Sequence, residues 1–205
     1  MRDTIDIQSN DNALFVTGQC NNHCLMCCQP PVRKNDIDFF YEKNIRLIDS
    51  APIELPTIGI TGGEPTLLGE RLFDLIAYIR KRLPNTHIQI LSNGRRFADG
   101  AYAERLAQVA EGMIIVGVPF HSDSPIIHDR IAGAQDAYNQ TLLGLYNLAA
   151  NDIDIEPHRS DKAELPTLAT DGTFHIKEPC LCFNRRVHGN GRHWLHHQEP
   201  RPCMD

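Results

Sequence analysis

Apolar residues recur through the first three quarters of this 205-residue chain in two alternating rhythms. Short apolar runs stand at Ala13–Val16, Thr57–Thr61, Ile88–Leu91, Met113–Val118 and Ile153–Ile155. Runs of that length and composition predict strands. Between them lie longer stretches with helical spacing. Asp38–Ser50 carries Phe40, Tyr41, Ile45 and Ile48 on one side. Leu72, Leu75, Ile76, Ile79 and Leu83 stand at i, i+3, i+4, i+7 and i+11, and Pro84 ends that helix. Ala101–Val109 reads as a third helix, and Tyr138, Leu142, Leu145 and Ala149 mark a fourth. Strands alternating with helices predict parallel βαβ units, and so an α/β fold with five clear βα units.

The rhythm stops after about Arg159, which divides the chain into a core at 1–159 and an extension at 160–205. Thr167–Lys177 predicts a hairpin, with Asp171-Gly172 suited to a two-residue type I′ turn. Cys180–Asp205 is rich in His, Arg, Gly, Pro and Cys and has no period. The formal net charge is −6, which does not recommend a nucleic acid as partner. Arg80-Lys81-Arg82 and Arg95-Arg96 read as a solvated helix end and a loop. No apolar run approaches the ~20 residues of a membrane span, and Met1-Arg2-Asp3-Thr4 does not open a signal peptide. The chain reads as cytoplasmic. Seven cysteines in a reducing compartment argue for metal rather than disulfides.

The unusual residues fall at the carboxyl ends of successive strands. A C-x3-C-x2-C loop, Cys20, Cys24 and Cys27, follows the first strand. Gly62-Gly63-Glu64-Pro65 ends the second, Ser92-Asn93-Gly94 the third, and His121-Ser122-Asp123 the fourth. In parallel α/β folds that rim binds ligands. Three thiolates on one loop can hold three irons of a cubane cluster and leave the fourth iron open. Zinc is the competing metal, with Cys28 or His23 as a fourth ligand. Three buried core thiols are a further alternative. Cys28 itself is expected to pack beneath the loop and ligate nothing.

The cysteine loop together with Gly62-Gly63-Glu64-Pro65 resembles the signature of radical S-adenosylmethionine (SAM) enzymes, over roughly residues 13–155. That resemblance implies a partial (β/α)6-type barrel, one unit short, with an irregular C-terminal extension. It implies a [4Fe–4S] cluster on Cys20, Cys24 and Cys27, whose open iron takes the amino and carboxylate groups of SAM. Gly62, Gly63, Glu64 and Pro65 are expected at the SAM amino group, and Ser92 and Asn93 near its ribose and carboxylate. Ser122 and Asp123 match a further family motif, as do His128-Asp129, although His121 stands where serine is usual. Met26 replaces a common aromatic residue and is expected to cover cluster and adenine. The implied chemistry is reductive cleavage of SAM to methionine and a 5′-deoxyadenosyl radical, with no general acid or base needed for the cleavage.

Cys24-Leu25-Met26-Cys27 running into Gln29-Pro30-Pro31, with Leu91-Ser92-Asn93-Gly94-Arg95, is similar to the C-type maturases of His-Xaa-Ser systems. The substrate so implied is a ribosomally made peptide or small protein. The implied partners are an electron donor such as flavodoxin or ferredoxin and a second maturase. Two alternatives stay open: a glycyl-radical activase, and a non-catalytic iron–sulfur or zinc partner protein with a shortened core. Cys180, Cys182 and Cys203 are candidates for a second metal, completed by one of the nearby histidines, against the reading of incidental thiols in a polar tail.

Overall fold

The computed structural model describes residues 4–9, 12–158, 166–168 and 174–176. Five strands form one parallel sheet: β1 (Ala13–Phe15), β2 (Thr57–Thr61), β3 (His87–Leu91), β4 (Ile114–Pro119) and β5 (Asp154–His158). Their order in the sheet is their order in the chain. No strand order reverses, so the sheet is wound in one direction, as in a barrel, with no doubly wound switch point.

The crossovers are α1 (Ile37–Ser50), α2 (Glu70–Arg82), α3 (Gly100–Ala110), and the pair α4 (Pro125–Ala132) and α5 (Ala137–Ala150). One sheet face is apolar and buried. Leu14, Ile58, Ile60, Ile88, Ile90, Val116, Val118 and Ile155 lie in the core together with Leu72, Leu75, Ile76 and Ile79 of α2. Period-two alternation sends the intervening residues to the opposite face. There the register sets Gly59 beside Gln89 and Gln89 beside Ile115, and sets Leu91 beside Gly117 and Gly117 beside Glu156. Parallel strands usually read as continuous apolar runs because both faces are covered. Gln89, Glu156 and His158 mark this second face as a cleft wall rather than a second core.

The five predicted strands all form. The helix at 125–132 is not among the predicted ones. It is short, and Ile126 and Ile127 on it are exposed, which breaks the apolar period that a helix prediction needs. Its one local signal is Ser124-Pro125, with proline at the first helical position. Arg80 also departs from its reading as a solvated cation. It is buried, and its guanidinium donates to the carbonyls of Thr86 and Pro84 in the α2–β3 turn. Burial lowers its pKa. Arg82, by contrast, stays exposed and pairs with Asp49 of α1.

Strand β5 ends the sheet among the described residues. The Phe120 N–H donates to the His158 carbonyl, so alternation turns the Pro157 backbone away from β4. There its missing N–H costs the ladder nothing. The hairpin forms as β6 (Pro166–Leu168) and β7 (Phe174–Ile176). Its register places Leu168 opposite Phe174. The expected type I′ turn at Asp171-Gly172 lies outside the described residues. Cys180, Cys182 and Cys203 lie outside the described residues. No described helix is long and apolar enough to cross a membrane.

His128 of α4 is packed among the rings of Phe120, His121 and Tyr138. Its Nδ1 accepts the His121 N–H at 3.2 Å, which requires the neutral ring. Burial first, then the charge of His121, push its pKa down to about 4, against the opposing pull of Asp129. A depressed histidine contributes stability that is present above its unfolded pKa, about 6.5, and is lost as pH falls through the folded value. We predict that urea-unfolding stability falls by up to about 3 kcal/mol from this group between pH 7 and pH 4. His128→Gln, which keeps an acceptor but cannot ionise there, should remove that share of the slope. An unchanged slope in the variant would assign the acid sensitivity to carboxylates alone.

Candidate functional site

The strand ends converge as the sequence motifs require. The stem of the cysteine loop continues from β1 and crosses the end of β2. The Gly63 N–H donates to the Thr17 carbonyl at 2.7 Å, and the Glu64 N–H to the Gln19 carbonyl at 2.8 Å. A Cβ on Gly62 would lie 2.4 Å from the Thr17 oxygen, and one on Gly63 would lie 2.2 Å from the Gln19 oxygen. Gly62 also has φ +155°, a conformation that L side chains rarely adopt. The glycine pair is therefore required by the approach of the loop stem. The carbonyls of Gly62 and Gly63 accept no hydrogen bond from the described residues.

Glu64 departs most from its sequence reading. Its carboxylate is fully buried. Oε1 accepts from the Thr66 N–H at 3.0 Å, the Thr66 hydroxyl at 2.7 Å and the Ser92 hydroxyl at 2.8 Å. Oε2 accepts from the Asn93 N–H at 2.7 Å. Burial pushes the carboxyl pKa up, and these donors pull it back down. With those bonds made, the side chain ties β2 to β3 and does not present itself to a ligand. Pro65 opens the adjoining 3₁₀ turn, Pro65–Leu68, and is buried.

Ser92 and Asn93 are likewise engaged. The Ser92 hydroxyl also accepts the Gly94 N–H. Asn93 Nδ2 donates to Asn21 Oδ1 at 2.6 Å and lies 4.0 Å from Cys20 Sγ. Its carbonyl accepts the Thr141 hydroxyl of α5. Arg95, read from the sequence as an exposed loop cation, is a brace of the site. Its guanidinium donates to the Asn21 carbonyl at 2.8 Å, Asn22 Oδ1 at 2.7 Å and Gln140 Oε1 at 2.7 Å. Its position just after Ser92-Asn93-Gly94 was the available signal.

On its other side the loop is stitched to α4. The His23 and Leu25 N–H groups donate to the Ala132 and Ile131 carbonyls. Cys20 and Cys24 are half-buried, and Cys27 is exposed. Cys28 is exposed too, rather than packed beneath the loop, because residues 23–30 project from the sheet rim. Met26 and Leu25 are exposed beside them. A pocket of about 560 Å³ is lined by Gln19, Cys20, His23, Pro31, Val32, Arg33 and Leu67. Of the three candidate ligands, only Cys20 lines it.

Burial raises the pKa of both Cys20 and Cys24, and the neighbouring thiols and Glu64 add to that effect. Hydrogen bonding to Asn22 opposes it: the Asn22 N–H reaches Cys20 Sγ at 3.4 Å. Three adjacent thiolates repel one another, and a bound cation removes that penalty. The donor set thus fits a group that brings positive charge and takes one sulfur per metal. Among the described residues, no three His, Cys, Asp or Glu side chains gather as a site for one ion.

Ser122 and Asp123 follow β4. Ser122 is buried, and its hydroxyl accepts the Ser124 N–H, while Asp123 is exposed. Asp129 accepts the Asp136 and Tyr138 N–H groups, both at 2.7 Å, and so holds the start of α5. On the cleft face, Gln89 Nε2 donates to Glu156 Oε2 at 2.9 Å, and His158 Nε2 lies 4.0 Å from the same oxygen. No motif in the sequence singles out these three residues. They come together only through the register of β3, β4 and β5.

Residues 14–156 match the Radical SAM superfamily, and the chain belongs to it. Membership implies an enzyme with a [4Fe–4S] cluster and SAM. A Methanocaldococcus jannaschii protein named as a glycyl-radical enzyme activating enzyme is 32% identical over 83 residues, 38% of this chain and 22% of its own. Native anSMEcpe with bound AdoMet superposes with a TM-score of 0.56 at 19% identity, covering 71% of this chain and 42% of that one. The same protein with AdoMet and the Kp18Cys peptide gives 0.54 at 19% identity, over 71% and 41%. At that identity these structures share the fold. The chain spans less than half the length of each of these proteins.

A glutamine at position 64 would set an amide N–H against either the Asn93 or the Thr66 N–H. We predict that Glu64→Gln destabilises the fold by about 1–3 kcal/mol, as an unsatisfied buried donor does, read as a lower urea midpoint. Wild-type stability in the variant would mean that the bond lost with one carboxylate oxygen has no net worth.

Proposed function

We propose that this protein reductively cleaves SAM and uses the resulting radical chemistry to modify a ribosomally made peptide, as in His-Xaa-Ser-type maturation. The observation that carries the reading is the rim itself. A three-cysteine loop is locked against the glycine pair, and two adjacent backbone carbonyls are left without donors among the described residues.

In this reading Cys20, Cys24 and Cys27 each hold one iron of a [4Fe–4S] cluster. When bound, cluster and SAM supply the electron transfer and the hydrogen-abstracting radical. The chain's own residues bind and orient. Gly62 and Gly63 offer their carbonyls to the SAM amino group. Ser92 and Asn93 keep the β3 end in place beneath the nucleoside, and Ser122 and Asp123 stand ready for its ribose. Met26 covers the cluster and adenine from the exposed side. Glu156, Gln89 and His158 line the cleft where a substrate side chain would lie. Support for a peptide substrate comes from a structural neighbour, anSMEcpe with bound AdoMet and the Kp18Cys peptide, and from the motif likeness in the sequence. The physiological reductant would be a flavodoxin or ferredoxin, and a second maturase the natural partner.

A second reading, activation of a glycyl-radical enzyme, draws on the named M. jannaschii relative. Pro30-Pro31 and His128-Asp129 weigh against it. We predict that anaerobic reconstitution with iron and sulfide, then dithionite and SAM, yields 5′-deoxyadenosine. Cys24→Ala should abolish that yield and lower the bound iron. A reconstituted cubane cluster that never produces 5′-deoxyadenosine would instead favour a binding partner with a shortened core, and bound zinc without iron would refute the cluster assignment.

A further inference from the structure

Side chains from two strands of the cleft face meet over one glycine of the strand between them. Gln89 of β3 and Glu156 of β5 are two strand spacings apart, about 10 Å. Gln89 Nε2 nevertheless donates to Glu156 Oε2 at 2.9 Å. The bond passes over β4, where Gly117 is the register partner of Glu156. The His158 ring crosses the same place: a Cβ on Gly117 would lie 2.8 Å from His158 Nε2 and 2.8 Å from Leu91 Cδ2. The bare backbone of Gly117 is what leaves these groups room to meet.

The meeting uses only half of the carboxylate. Gln89 takes Oε2, and His158 Nε2 lies 4.0 Å from that same oxygen. Oε1 accepts no hydrogen bond from the described residues. The Glu156 side chain is only 20% exposed, so water solvates its charge incompletely. Nor do the strands supply a countercharge. None of the five carries a lysine or an arginine, and Asp154, two residues before Glu156, adds a second carboxylate on the same face. A carboxylate withdrawn from water, with one oxygen open, favours a charged donor at that oxygen. A brace between β3 and β5 would not need the charge, because a glutamine at 156 could accept from Gln89 equally well.

We propose that Glu156 is a specificity-determining residue that receives a positively charged side chain of the substrate at Oε1, so that the cleft selects peptide segments carrying lysine or arginine. The proposal rests on the peptide-modifying reading above and narrows its substrate class. Gln89 and His158 are positioning residues in it, holding Oε2 so that Oε1 faces the cleft, and Gly117 keeps the floor clear for the incoming side chain.

The test uses acetyl- and amide-capped Gly-Gly-Xaa-Gly-Gly peptides, so that Xaa carries the peptide's only charge. Xaa is arginine, lysine, glutamate, or the uncharged citrulline and norleucine. Binding to the reconstituted, SAM-loaded holoprotein is measured anaerobically by titration calorimetry, and SAM binding by the change it makes in the spectrum of the reduced cluster. Wild type should bind the arginine and lysine peptides about 10-fold more tightly than their citrulline and norleucine counterparts, the worth of one hydrogen bond to a charged group. Glu156→Gln, which keeps the acceptor for Gln89, should level that preference and leave SAM affinity within about threefold of wild type. Glu156→Lys should reverse it in favour of the glutamate peptide. No preference in wild type, or one that survives Glu156→Gln, would overturn the proposal alone. So would a loss of SAM affinity in Glu156→Gln, which would assign the carboxylate to the cofactor. A wild-type holoprotein that takes up no SAM would overturn the proposal together with the reading on which it rests.

Discussion

The site hangs on one buried carboxylate. A Glu64 side chain withdrawn from water is costly by itself, and the fold tolerates it because four donors surround it. Those donors belong to the 3₁₀ turn that follows β2 and to the residues just after β3, so the carboxylate closes the gap between two strands where the sheet's own ladder has stopped. Asn93, held by that carboxylate, in turn reaches Asn21 in the cysteine loop. Arg95, two residues on, holds the same loop from the α5 side. A buried negative charge that reaches the loop through Asn93 therefore helps to decide where the thiols of the loop stand.

This arrangement separates two kinds of motif residue. The side chains of Glu64, Ser92 and Asn93 are used up in holding backbone segments together. What is left for a ligand at that part of the rim is main chain: the carbonyls of Gly62 and Gly63. Main-chain acceptors on a sheet rim are fixed by the strands beneath them and carry no rotamer freedom to lose on binding. The opposite arrangement holds on the cleft face, where Gln89, Glu156 and His158 are side chains on open sheet. A half-barrel with one apolar face and one polar face thus offers a rigid backbone wall beside a wall of side chains.

The strands, α1, α2, α3 and α5 were legible because each carries its own period, and the chain positions of the cysteine loop and the Gly62–Pro65 segment were legible as motifs. What was not legible lies in contacts between distant residues. Glu64 looks like a ligand acceptor until Ser92 and Asn93 arrive from the next strand. Arg80 and Arg95 look like surface cations, because nothing local shows that turn carbonyls or the cysteine loop will surround them. Cys28 was expected inside because free cysteines usually are buried, but the loop stands off the rim. The helix at 125–132 hides because its outer residues are isoleucines.

The cysteine loop lies early in the chain but is fastened late. Its stem bonds to the end of β2, its middle to residues just after β3, and its far side to the last turn of α4. As the chain emerges in synthesis, the thiols appear long before their last attachment points do. In the proposed function, loading with iron would accordingly be a step for a half-barrel complete through α4, since only then are all the loop's attachment points present. The interval between the synthesis of the cysteines and that of Ala132 is the period in which oxygen or a stray metal would reach them most easily.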